Sequence, residues 1–171
     1  MPTGTIRSSL VPILQAIAGQ LVNYGVLSDA SRAIITIQPD FPHFGAEHDI
    51  LIRPGNFIIN RAMNAAAGRV ATECIRTVTT VCRTRLNLDE AGRDKVWLTD
   101  AAKGHIVFEE FTVDALEEFW PADANNNLLL NEPMRLIRMD GLRKDTTQPQ
   151  WGQSALDWEI KYLLPLNQAV Q

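Results

Sequence analysis

Near the C-terminus, every second residue from Leu156 to Leu164 is apolar: Leu156, Trp158, Ile160, Tyr162 and Leu164, with Asp157, Glu159 and Lys161 in the first three gaps. A period of two predicts a strand with one face buried. Near the N-terminus the period changes. Leu10, Ile13, Leu14, Ile17 and Leu21 recur at three and four, which predicts a helix. Ser8 or Ser9 is placed to cap it, Pro12 falls in its first turn, and Gly25 is placed to stop it.

Between these ends the pattern predicts short β-branched strands at Ala33–Ile37 and Asp49–Arg53, ended by Pro39 and by Pro54-Gly55. Arg69–Leu88 is rich in Val, Thr and Ile and reads as one long strand, or two bent near Thr79-Thr80. A second helix is expected to begin between Asp94 and Thr99 and to run to Phe119, carrying Ala101, Phe108, Phe111 and Ala115. "MRLIRM" is a further strand, set between the connections "ADANNNLLLNEP" and "DGLRKDTTQPQWGQ". The order α-β-β-β-α-β-β predicts one α+β domain over 1–171, a mainly antiparallel sheet with two helices packed on one face. Asn56–Gly68 fits neither period and is expected to be a loop, part of a flap at about 54–68. Its adjacent Phe57, Ile58 and Ile59 are not expected to share one core, so they are candidates for a contact between subunits or with a partner.

Composition adds bounds to this picture. The chain of 171 residues is 46% hydrophobic and 21% charged with a formal net charge of −4, which suits a globular domain and gives no bulk attraction for nucleic acid. The charge is uneven. Asp94 to Asp123 holds eight acids against Lys95 and Lys103, either a solvated helix face or an acidic strip for a partner or channel. No stretch approaches the roughly 20 apolar residues of a membrane span. Pro12, Gln15 and Gln20 interrupt the N-terminal run, so it is read as a helix rather than a leader, and the chain as cytoplasmically made. Cys74 and Cys82 fall in one predicted strand, about 26 Å apart at about 3.3 Å per residue, too far for an intrachain disulfide.

Candidate chemistry is sparse. His43, Glu47 and His48 are the metal-site candidates of a small hydrolase, but Pro42 and Gly45 deny them the helix that would bring two ligands onto one metal. There is no G-x-S-x-G elbow and no glycine-rich phosphate loop. Arg135, Arg138, Arg143 and Lys144 with Trp151 could make a nucleic-acid face, offset by Asp140 and Asp145. No catalytic residue, metal or cofactor is assigned.

The succession of segments carries a resemblance. A helix and short strand are followed by "PDFPHFGAEHDILIRPG", then the flap, then a long strand ending in "RTRLNLDEAGRD", a helix closing in "ALEEF", "EPMRLIRMDG" and "SALDWEIKYLLPL". This order resembles the tail terminator, or tail completion, proteins of long-tailed bacteriophages and the adjacent head-to-tail neck proteins. The resemblance implies a structural, non-enzymatic subunit made in the host bacterial cytoplasm and located in the virion. It implies assembly into a ring, typically a hexamer, with the tail tube protein and head-connector proteins as partners, no membrane, and genomic DNA passing through the lumen. Phe57, Ile58, Ile59, Arg61, Glu159 and Lys161 are the candidate interface residues. The rival readings are the hydrolase and a binding module that stays monomeric.

Overall fold

The structure, a computed structural model, describes residues 9–37, 47–60, 71–85, 100–102, 104–144 and 151–165. Leu10–Asn23 forms helix α1, and its buried residues Ile13, Leu14, Ile17 and Leu21 are those of the predicted stripe. It stops before Gly25, whose φ of 87° suits a residue without a Cβ. A single turn at Ala30–Arg32 leads into strand β1, Ala33–Ile35. Strands β2 (His48–Asn60) and β3 (Ala71–Arg85), helix α2 (His105–Leu116), and strands β4 (Arg135–Lys144) and β5 (Trp151–Pro165) follow. One sheet holds all five strands in the order β1-β2-β3-β5-β4. All pairings are antiparallel except β1 with β2. The fold is α+β as expected.

Register fixes the faces. Cys74, Val78, Thr80 and Cys82 of β3 stand opposite Tyr162, Trp158, Leu156 and Ser154 of β5. Ile50 and Ile52 continue two of these rows onto β2. The apolar members of these rows form one core cluster with the inner faces of α1 and α2, so both helices cover the same side. Each fully buried Ile or Leu contributes about 1.5–3 kcal/mol. Trp158 is fully buried, and its indole N–H donates to Thr80 Oγ1 at 2.8 Å, so the core accepts its polar atom without an orphan. Both cysteines are free and buried in β3, on the single strand that the sequence predicts.

Four boundaries differ from expectation. β1 stops at Ile35 rather than Ile37, with only Thr36 N–H adding a bond beyond it. Asn56–Asn60 is not loop but the continuation of β2, paired to β3 as far as Asn60↔Glu73; the remainder of the expected flap lies outside the described residues. The cause is a bulge between Pro54 and Phe57, which breaks the period of two. A Cβ on Gly55 would come within 3.0 Å of the Thr77 carbonyl oxygen, so glycine lets the two strands stay close there. Helix α2 is described from His105, after an extended Gly104, to Leu116, because Glu117 is extended and Glu118 has a φ of 61°; the expected start at 94–99 lies outside the described residues. Finally, β4 and β5 run into the expected connection from both sides, taking in Gly141–Lys144 and Trp151–Gln153.

Candidate functional site

At the end of the sheet nearest His48, a chain of polar side chains is closed beneath α2. His48 Nδ1 lies 3.0 Å from Thr84 Oγ1, and Thr84 Oγ1 lies 2.7 Å from His105 Nδ1. His105 Nε2 lies 2.9 Å from Ser154 Oγ. Thr84 and Ser154 share the helix-facing side with His48, and Gly104 sets the first residue of α2 directly above them. His105 is 1% exposed; burial pushes its pKa down to about 4, and His48 adds to the shift. It is therefore a neutral imidazole at neutral pH, one nitrogen donating and the other accepting.

A serine beside a histidine invites comparison with a hydrolytic relay. The geometry differs from one. Glu109 approaches the same Nε2 that meets Ser154, at 3.8 Å, while the opposite nitrogen meets Thr84. A relay needs the orienting acid on the nitrogen away from the nucleophile. Ser154 is also 2% exposed, with no room for a substrate at its Oγ. The neighbouring cavity, about 140 Å³, is lined by His48 and by apolar residues such as Val26, Val107, Phe108 and Phe111. His48 itself stacks on Phe108 with ring centroids 4.5 Å apart. Of the metal candidates, His48 is thus built into packing, Glu47 is exposed, and His43 lies outside the described residues. No group of three or more His, Cys, Asp or Glu is placed to hold a metal among the described residues. Burial pushes the Cys82 thiol up to about 12, which keeps it protonated.

On the opposite side of the sheet at this end, Arg83 Nε donates to Asp49 Oδ1 at 2.5 Å and its NH2 to Oδ2 at 2.6 Å. Both side chains are essentially inaccessible, and the guanidinium lies 5.7 Å from the Trp151 ring centre. Sequence reasoning missed this pair and the His105 chain.

The other end of the sheet is open among the described residues. β1 covers β2 only from Ile50 to Ile52, with Thr36 N–H adding one bond to Ile52 O. Beyond Arg53, no strand lies on the outer edge of β2 among the described residues. Phe57, Ile58 and Ile59 are 51%, 70% and 42% exposed. The bulge sets Phe57 and Ile59 on the helix-facing side, and Ile58 on the far side. Arg76 sits over the Phe57 ring at 4.9 Å, a cation–π contact. On the far side one row runs Ile58, Ile75, Lys161, with exposed Leu163 beside it. The structure thus brings two of the predicted interface residues, Ile58 and Lys161, onto one surface, two strand spacings or about 10 Å apart. Glu159 lies on the same face as Lys161, and Arg61 is outside the described residues. Lys161 donates to Glu132 at 2.8 Å and lies 3.7 Å from Glu159; the hydrogen bond to Glu132 holds the Lys161 pKa above its ordinary value.

No protein-family pattern matches the chain, and no curated protein matches it. Among solved structures, the fold is similar to a chain in the virion of a native gene transfer agent particle, with a TM-score of 0.51 and 12% sequence identity. The likeness covers 93% of this chain and 100% of that one, and at this identity it shows a shared fold.

Proposed function

We propose that the chain is a structural protein of a phage-like virion, acting as a ring-forming tail terminator. In this reading, copies close into a ring, typically a hexamer, which caps the tail tube and joins it to the head connector while DNA passes through the lumen. The observation that carries the reading is the strand end of β2, where Phe57, Ile58 and Ile59 are exposed on both faces of an edge that no strand pairs among the described residues. Natural edges are usually guarded by charge, proline or a covering segment. Pro54 guards the first half of this edge, and among the described residues 57–59 has no such guard. The order of segments along the chain and the fold shared with a gene transfer agent virion chain support the same reading. Ile58, Phe57 and Ile59 are the proposed contacts, with Glu159 and Lys161 at their margin; Arg61, the sixth candidate, lies outside the described residues.

Negative-stain imaging and sedimentation of purified protein test it. Wild type is expected to give annular particles. Ile58→Ser with Leu163→Ser replaces two exposed side chains and should abolish the annuli while leaving the circular dichroism melt unchanged. A wild type that stays monomeric at high concentration overturns the reading.

A further inference from the structure

A second pair of surfaces has complementary charge and is separate from the open end of β2. Residues 104–134 carry seven acids (Glu109, Glu110, Asp114, Glu117, Glu118, Asp123 and Glu132) and no Lys or Arg. The next ten residues, all in β4, reverse the sign: Arg135, Arg138, Arg143 and Lys144 against Asp140. Each surface also carries an exposed apolar residue. On α2 the outward row is Ile106, Glu110, Asp114 at four-residue spacing, with Ile106 45% exposed. On β4, Ile137 is 53% exposed beside exposed Arg138 and Arg143, which share the face turned away from the helices, Arg138 also donating to Asp140 at 2.8 Å.

The form of the β4 edge limits what can cover it. β4 is the last strand of the sheet, so one side of its backbone is open among the described residues. Register shifts lie between Leu136 and Arg138 and between Asp140 and Arg143, and Ile137 falls in the first of them. Glu117 of the same chain already accepts the Leu136 N–H at 2.8 Å. Bulges and arginines oppose the addition of another strand. An edge of this kind is instead covered by a helix or loop, and the matching charge for it is on α2.

We infer that the acidic outer row of α2 in one copy of this chain docks on the basic β4 edge of another copy, Ile106 meeting Ile137 while Glu110 and Asp114 meet Arg138 and Arg143. The contact joins two different surfaces of one chain, and such contacts generate closed rings when the rotation closes. It deepens the ring reading, on which it rests for the assembly itself, and adds an interface made without the exposed end of β2.

Charge exchange tests it. One variant carries Glu110→Lys with Asp114→Lys, and a second carries Arg138→Glu with Arg143→Glu; all four positions are exposed. Each variant alone should raise the concentration for half-assembly about tenfold or more. Mixing the two, or placing all four changes in one chain, should restore assembly toward wild type, because opposite charges then meet again. Melting curves followed by circular dichroism check that each variant is folded; if the glutamate variant does not fold, Arg138→Gln with Arg143→Gln replaces it in the single-variant arm. The inference is overturned if folded variants assemble like wild type, or if mixing and the four-change chain both fail to restore assembly. A wild-type dimer broken by charge reversal upholds this contact and refutes the ring. Intact rings in both variants uphold the ring and refute this contact. A wild type monomeric at all concentrations refutes both.

Discussion

The two ends of the β2–β3 hairpin are built from similar residues and treated oppositely. At the end that holds Ile50 and Ile52, both faces are closed: α1 and α2 cover one side, and Asp49, Leu51, Val81 and Arg83 on the other are 0–2% exposed. Polar groups there are matched in pairs or chains, Asp49 with Arg83 and Thr84 with His105 and Ser154. At the end that holds Phe57–Ile59, apolar side chains face outward on both sides. The closed end spends its side chains on stability, while the open end leaves apolar surface exposed among the described residues. A protein kept for internal chemistry places its polar machinery where a substrate can reach it. Among the described residues, the polar chain at the closed end is sealed from solvent, while the apolar trio at the open end is reachable.

The largest effect should come from breaking the closed end. Arg83→Ala strands the Asp49 carboxylate in the interior and should cost about 3–5 kcal/mol in denaturant unfolding. Replacing both partners by apolar residues, Asp49→Leu with Arg83→Met, should recover most of that loss, because neither charge then remains buried. If the single and double variants are equally unstable, the pair is not what closes this end.

Legibility in the sequence divides along the same line. The final strand was readable because Leu156 to Tyr162 alternate on a straight strand with one side buried, and α1 because one stripe faces one sheet. The continuation of β2 was not, because the bulge at Pro54–Phe57 shifts the alternation and makes 56–60 resemble a loop. The Asp49–Arg83 pair spans 34 residues and His105–Ser154 spans 49, so no local spacing announces either. At the open end the adjacent apolar trio was itself the signal. Its exposure followed from the sequence even though its secondary structure did not.

The next effect is a pH dependence of the closed end. His105 has a pKa of about 4 in the folded chain against 6.5 for an ordinary histidine. The unfolded chain therefore binds the proton first, and stability falls as pH falls from about 6.5 to about 4, by at most about 3 kcal/mol. His105→Gln removes the titration and keeps hydrogen-bonding capacity. Its unfolding free energy should fall less steeply than that of wild type across this window. Parallel slopes would show that His105 is not sealed as described.

Smaller still is the contribution of the open end to the chain's own stability. Phe57→Ala removes a ring that is half exposed and its contact with the Arg76 guanidinium. The expected loss is about 1–2 kcal/mol, made of partial apolar transfer and one cation–π contact. A loss as large as that from Arg83→Ala would mean that the two ends are not different in kind, and that Phe57 belongs to the monomer's core.

The smallest expected effect sharpens the comparison at the margin of the open end. Lys161 is paired with Glu132 and Glu159, yet all three lie toward solvent, where an ion pair gains little after screening and the loss of side-chain freedom. Lys161→Ala should therefore shift the melting temperature by no more than about 2 °C. Its neighbours on the same strand, Ile160 and Tyr162, face the core and are 1% and 2% exposed. Ile160→Ala should lower stability by about 2–5 kcal/mol, since it leaves a cavity under the helices. The two positions are adjacent in sequence and opposite in face, so their ratio measures register directly: a slip of one residue would exchange the two results. Repeating the Lys161→Ala melt at high salt separates its two roles. If the lysine only pairs locally, the small shift vanishes with screening in the dissociated chain. A shift of many degrees that persists in high salt would show that its aliphatic stem packs as part of the closed core, and the boundary between the two ends would have to be moved.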